Sequence, residues 1–311
     1  MRSRQLGARG PDVSVVGLGT NNFGWRIGVE ESRAVVDAAI EGGITLFDTA
    51  DVYGETASER FLGDALAGRR DRVVLVTKFG SPVPDAPDLP RGSRGYVRWA
   101  IEGSLERLRT DVIDVYMYHR PDGVTPFAET VSALGELAAE GKVRYAGVSN
   151  VDTAQLEEAI SAARDSGVPL VCVENRYSLI RREAEAELLP ACERLGVAML
   201  PYYPLESGLL TGKYRRGEPP PGDSRFVGNA RIWPSERWLT DDAFDKVEAL
   251  ERYAEQHGIS LLEVAIGGLA AMPAVGSVIA GATSPEQVHA NARAGAWQPS
   301  AGELAALRAL G

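Results

Sequence analysis

Cysteine is nearly absent from this chain: Cys172 and Cys192 are the only two in 311 residues. Two thiols cannot build a disulfide framework, and these lack metal-ligand spacing. Cys172 lies in an apolar strand-like run and Cys192 on a helix, so both read as packed thiols and no metal is expected. Basic clusters are missing too. With 33 Lys and Arg against 43 Asp and Glu, the net charge of -10 argues against a nucleic-acid partner. It does not exclude an anionic cofactor, because backbone amides and helix N-termini hold phosphate locally. No apolar run is long enough to span a bilayer. Arg2 and Arg4 are not followed by the apolar segment that a signal peptide needs. No linker or charge run marks a domain boundary. These absences lead to the expectation of one soluble, cytoplasmic domain over 1–311, away from membranes, with its oligomeric state open.

What is present is a regular alternation. Arg2 to Val16 reads as a hairpin that plugs one end of something larger. Eight short apolar strands then alternate with helices. The strands centre on Val15–Gly19, Ile44–Phe47, Val73–Thr77, Ile113–Tyr118, Val143–Val148, Leu170–Val173, Val197–Leu200 and Ser277–Ala280. Gly42-Gly43 stops the first helix, Thr125-Pro126 reads as an N-cap followed by proline at the first helical position, and Asp152 with Gln155 makes a capping box. A long irregular stretch, Glu206 to Thr240, separates the seventh and eighth strands. Strict alternation implies a parallel sheet. Eight units in this length favour a closed (β/α)8 TIM barrel, with an open doubly wound sheet as the alternative.

Three consecutive strands end in chemistry-bearing residues. Leu46-Phe47 runs into Asp48, with Tyr53 five residues on; Val73–Thr77 delivers Lys78; Ile113–Tyr118 delivers His119. In parallel α/β folds the C-terminal ends of strands carry the active site. A free tyrosine titrates near pH 10, and a neighbouring ammonium such as Lys78 lowers that value. Asp48 would hold Lys78 charged, and His119 would orient a substrate oxygen toward Tyr53. Such a set protonates an oxygen as it gains negative charge. The bland alternative is a buried Asp48–Lys78 ion pair with Tyr53 and His119 as ordinary rim residues.

With these residues in place, the chain resembles the aldo-keto reductases, more closely the bacterial and potassium-channel-β-subunit-like branch than the mammalian aldose reductase branch. The resemblance rests on Phe47-Asp48-Thr49-Ala50-Asp51-Val52-Tyr53-Gly54, Thr77-Lys78-Phe79-Gly80 and Tyr118-His119-Arg120-Pro121-Asp122. Gly147-Val148-Ser149-Asn150, Gly208-Leu209-Leu210-Thr211-Gly212-Lys213-Tyr214 and Gly281-Ala282-Thr283-Ser284-Pro285-Glu286-Gln287 extend it to about residue 291. It implies NADP(H)-dependent reduction of a small carbonyl compound, NAD(H) being possible, with Asp48, Tyr53, Lys78 and His119 as a catalytic tetrad. Ser149 and Asn150 would meet the nicotinamide carboxamide, and Tyr202 would stack on the ring. Pro204, Leu205, Ser207, Gly208, Leu210 and Lys213 would follow the pyrophosphate. Gly281, Thr283, Gln287 and Asn291 would meet the adenosine end, where Ser284 opens a helix N-terminus. Thr20 and Asn21 fall in the first strand-to-helix loop, near the cofactor. Phe23, Trp25, Trp233 and Trp238 would wall a substrate pocket or simply pack their loops.

The chain departs from the family at Glu174, usually glutamine, at Tyr203, usually serine, and at Ala290, usually acidic. An ionised Glu174 would hold the carboxamide NH₂, favour the oxidised cofactor and lower its potential. Two further readings use the same barrel: a cofactor-binding, redox-sensing regulatory subunit of the channel-β type, and a Schiff-base lyase with Lys78 as nucleophile.

Overall fold

The computed structural model describes residues 1–222, 224–227 and 234–310. Two short antiparallel strands come first, β1 (Ser3–Gln5) and β2 (Asp12–Ser14), with Ser3 opposite Ser14 and Gln5 opposite Asp12. Then follow β3 (Val16–Gly19), α1 (Val29–Glu41), β4 (Leu46–Asp48), α2 (Ala57–Ala65), β5 (Val74–Phe79) and α3 (Arg94–Leu108). The middle of the chain gives β6 (Ile113–Tyr118), α4 (Phe127–Ala139), β7 (Val143–Ser149), α5 (Thr153–Ser166) and β8 (Leu170–Arg176). After α6 (Leu188–Leu195) and β9 (Ala198–Tyr202) comes the irregular stretch, and then α7 (Asp241–His257) and α8 (Leu261–Ala270). The chain closes with β10 (Val278–Gly281), α9 (Pro285–Ala294) and α10 (Ala301–Ala309).

The second sheet has eight parallel strands in the order β10-β3-β4-β5-β6-β7-β8-β9. Its two ends meet just below β10. There Met199 N donates to Ala274 O at 2.7 Å, and Gly276 N donates to Met199 O at 2.8 Å. This nearly closed ring with helices outside it is the expected (β/α)8 barrel. Each strand is buried on both faces, which explains its near-continuous apolar sequence. Outward residues such as Phe47, Leu75 and Tyr116 pack under the helices. Inward ones, including Leu46, Val76, Val115, Met117 and Ile279, fill the barrel axis.

The hairpin does plug the lower end, because Leu6 and Val13 join that inner cluster and are fully buried. Two arginines fasten it to the distal end of the chain. Arg4 donates to Val275 O at 2.6 Å and to Ala270 O at 2.8 Å, and Arg2 donates to Gly295 O at 2.9 Å. At the same end Asp114, buried, accepts from Leu75 N at 2.8 Å and from Arg70 at 2.7 Å, and also pairs with Arg144.

Two local details differ from expectation. Pro126 is itself the N-cap of α4, with extended backbone, and Thr125 instead bonds through both N and Oγ1 to Asp122. A proline ring fits a cap position as readily as the first turn because its fixed φ suits both. Beyond the alternation lies α10, opened by a capping box of Ser300 and Glu303 and seated by buried Leu307. Among the described residues no helix is long and apolar enough to cross a membrane.

Candidate active site

The four residues from three strand ends converge at the upper end of the barrel. Lys78 Nζ lies 2.5 Å from Asp48 Oδ1 and 3.3 Å from Glu174 Oε2, and donates to Thr49 O at 3.0 Å. The ammonium sits 5.3 Å from the centroid of the Tyr53 ring. Tyr53 in turn meets His119 edge to face, with centroids 5.9 Å apart and an interplanar angle of 83°. His119 Nδ1 is 3.1 Å from Ser81 Oγ, and its backbone N donates to Phe79 O at 2.8 Å, fixing the ring at the end of β6. Lys78 is wholly buried behind the others, while Asp48, Tyr53 and His119 line a cavity.

Burial and neighbouring charge set the protonation states. Burial pulls the Lys78 ammonium down, but Asp48 and Glu174 pull harder and raise it, so the amine stays charged. Tyr53 goes opposite to expectation. Burial raises the phenol, Lys78 lowers it, and Asp48 and Glu174 raise it again, for a net rise. The phenol therefore keeps its proton, as an acid must. His119 is pushed well below 6.5 by burial and by the Lys78 and Arg120 charges, so the imidazole is neutral. A Ser81 hydroxyl donating to Nδ1 would put the ring proton on Nε2, making that nitrogen a hydrogen-bond donor.

The surroundings of Glu174 work against the expected charge. Burial, then the Asp48 charge, pushes this carboxyl up to about 8, against the pull of Lys78. Arg176, the cation nearest in sequence, pairs instead with buried Glu206. Glu174 Oε2 makes no hydrogen bond beyond its 3.3 Å ion pair with Lys78, and the residue lines the cavity.

The cavity encloses about 790 Å³ and reaches from Tyr53 and His119 to Thr283, Gln287 and Asn291. Asn21, Asn150, Glu174, Tyr202, Pro204 and Leu205 line it, as do Ser207, Gly208, Lys213 and Gly281. Asn150 is held by donating to His119 O at 2.9 Å and accepting from Tyr202 OH at 2.7 Å. The backbone here is bent hard: Tyr203, Glu206 and Ser207 carry φ of 54°, 43° and 56°, left-handed values without glycine. Such strain gathers at binding loops. Gly208, at φ 99°, leaves room for the Lys213 chain, whose Cε would stand 2.6 Å from an added Cβ. At the far end Thr283 N donates to Gln287 Oε1 at 2.9 Å, and Ser284 Oγ accepts from Gln287 N at 3.4 Å.

Other expected contacts fall outside the cavity wall. Thr20 is buried behind it, donating to Asp48 O at 3.0 Å and bonding Ser58 Oγ at 2.9 Å, so it braces β4. Ser149 donates to Glu174 O at 2.7 Å, and Leu210 is fully buried. Phe23 is core. Trp25 lies under Arg225, with the guanidinium carbon 5.5 Å from its ring, and Trp238 under Arg176 at 4.3 Å and beside Tyr203. Trp233 lies outside the described residues. Sequence reasoning missed Ser81, Asn22, Arg26, Arg120 and Arg225 as cavity residues. Arg120, next to His119, carried the one usable signal: its position at a strand end.

A barrel with this strand-end set defines the class, and the chain belongs to the Aldo/keto reductase family, which it matches over residues 15–311. Members are oxidoreductases of small carbonyl compounds, and a nicotinamide cofactor goes with the class. A "Probable voltage-gated potassium channel subunit beta" from Oryza sativa subsp. japonica is 37% identical over 302 residues, covering 94% of this chain and 91% of that protein. An L-glyceraldehyde 3-phosphate reductase from Escherichia coli (strain K12) is 32% identical over 302 residues, covering 94% of this chain and 87% of that protein.

Proposed function

We propose that this protein reduces an aldehyde or ketone to the alcohol, or runs the reverse reaction, with NADP(H), and that Tyr53 is the proton donor. The observation that carries the reading is the neutral, edge-to-face Tyr53–His119 pair facing the cavity with the Lys78 ammonium buried behind it. The residues present fit a dinucleotide. The cavity runs from the acid to the start of α9, and Asn150, Lys213 and Gln287 line it with polar groups along its length. Asn150, Glu174 and Tyr202 would hold the nicotinamide, residues 204–213 the pyrophosphate, and Thr283, Gln287 and Asn291 the adenosine. The bound cofactor would supply hydride.

The chain's own residues do the rest. His119 donates from Nε2 to the carbonyl oxygen and points it at the Tyr53 hydroxyl. As negative charge grows on that oxygen, the phenol proton moves to it, and the Lys78 ammonium stabilises the tyrosinate left behind. Asp48 holds the ammonium charged and in place. A Schiff-base role for Lys78 conflicts with this arrangement, since the amine stays protonated and wholly buried.

Tyr53→Phe is the test. It should cut kcat on the order of 10²–10⁴-fold while NADPH binding, followed by fluorescence, stays near wild type. Retention of a tenth or more of kcat would remove Tyr53 from the acid role. NADH titrated alongside checks the cofactor preference, and L-glyceraldehyde 3-phosphate belongs in the carbonyl panel because of the relative that carries its name. The channel-subunit relative supports a second reading, a cofactor-holding regulator. Cofactor retained through purification, with slow turnover across the whole panel, would favour it.

A further inference from the structure

We propose that Glu174 is a third member of the Asp48–Lys78 pair, storing a proton that passes through Lys78 to Tyr53 whenever Tyr53 gives its own to substrate. This rests on the reductase reading above. The geometry is that of one buried ammonium between two buried carboxyls. Asp48 and Glu174 are each 2% exposed and Lys78 0%. The distances from Nζ are 2.5 Å to Asp48 and 3.3 Å to Glu174. Two ionised carboxylates beside one ammonium would bury a net negative charge, and holding a proton is the cheaper solution. Asp48, closer to the ammonium, is the one to stay ionised.

The groups that face Glu174 are Asp48 from β4, Tyr53 from the loop after it, Lys78 from β5, Cys172 on its own strand and Tyr202 from β9. Of these only Lys78 is a cation. Lys78 Nζ lies 3.3 Å from Glu174 Oε2 and 5.3 Å from the centroid of the Tyr53 ring, which makes it the natural carrier.

The protons balance. Hydride from a nicotinamide donor reaches the carbonyl carbon as the Tyr53 O–H breaks and the alcohol O–H forms. A Lys78 N–H then breaks to restore the phenol, and the Glu174 O–H breaks to restore the ammonium. Glu174 is left as carboxylate and takes a proton from water entering the cavity that it lines. Alcohol oxidation runs the same chain backwards and needs Glu174 ionised at the outset. Because the Glu174 carboxyl is pushed up to about 8, the store is full below that pH and empty above it.

Two measurements test this on the full chain, comparing wild type with the near-isosteric Glu174→Gln. In the first, infrared titration of protein without substrate should show a protonated-carboxyl band that disappears with a midpoint near pH 8, and Glu174→Gln should lack it. A band that persists in the variant would place the proton on another group and overturn the proposal, as would a wild type with no titrating band. In the second, kcat for aldehyde reduction over many turnovers should fall in wild type as pH rises through the midpoint, down to the level of the variant, and stay flat in the variant. A merely structural Glu174 would lower the rate by one factor at every pH, and parallel profiles would therefore refute the relay. Absence of any carbonyl turnover would sink the reductase reading and the relay with it, while the infrared arm would still say where the proton sits.

Discussion

Replacing Lys78 by methionine removes the one ammonium from a site that holds two buried carboxyls. Taken alone, an ionised Asp48 stranded in this way costs about 3–5 kcal/mol. The protein has an escape, which is to protonate Asp48, whose ordinary value is 3.8. That escape costs about 1.4 kcal/mol per pH unit above the ordinary value. The penalty is therefore capped at about 4 kcal/mol at pH 7 and about 2 kcal/mol at pH 5. The sign follows from the same reasoning. Without Lys78, Asp48 is raised further in the folded state, so its contribution is intact below the unfolded value and is lost as pH rises through the folded one. Glu174 keeps its proton across this window in both proteins and cancels. Urea unfolding followed by circular dichroism at pH 5, 6 and 7 reads the difference directly. Lys78→Met should lose about 1.4 kcal/mol more for each pH unit, and Asp48→Asn in the same background should flatten the slope. A loss independent of pH would show that packing of the lysine chain, not its charge, holds this site together.

Two further substitutions separate the ends of the barrel. Gly54 has φ 57°, and a Cβ there would stand 2.4 Å from Phe23 O. Gly54→Ala should thus shift the loop that carries Tyr53 and lower kcat by roughly 10²-fold, the usual cost of a misplaced group, with cofactor binding retained. Asp114→Ala unties Leu75 N, Arg70 and Arg144 at the opposite end. It should cost about 3 kcal/mol in a urea titration and leave kcat/KM unchanged.

The sequence carried the architecture and the convergence of Asp48, Tyr53, Lys78 and His119 because parallel strands buried on both faces are nearly all apolar. A lysine or aspartate at such a strand end stands out. Protonation states were less legible, since they depend on how much water is lost. At Tyr53 the burial that a linear pattern does not show outweighs the ammonium that it does. At Glu174 the deciding neighbours, Asp48 and Lys78, arrive from two other strands. Thr20 was placed near the cofactor on its loop position, Ser149 on the family resemblance, and Phe23 in a substrate pocket or a packed loop; their side chains brace or fill the structure behind the cavity. Arg26, Arg120 and Arg225 lie far apart in sequence, and only the closed ring of strands brings them to one mouth. The capping box at Ser300 was visible, but it lies past the eight-unit alternation that organised the reading.

The way Arg2 and Arg4 fasten the hairpin has a consequence for the time at which this protein can fold. Their carbonyl partners lie between 266 and 295 residues further along the chain. At roughly 5–20 residues per second, a ribosome needs on the order of 15 s to a minute to reach them. For that interval Leu6 and Val13, the plug of the inner cluster, have no ring of strands to enter. The first strands made are thus among the last to be seated. A nascent chain halted before Val275 should remain protease-sensitive at its own N-terminus, however well its middle βα units have already packed.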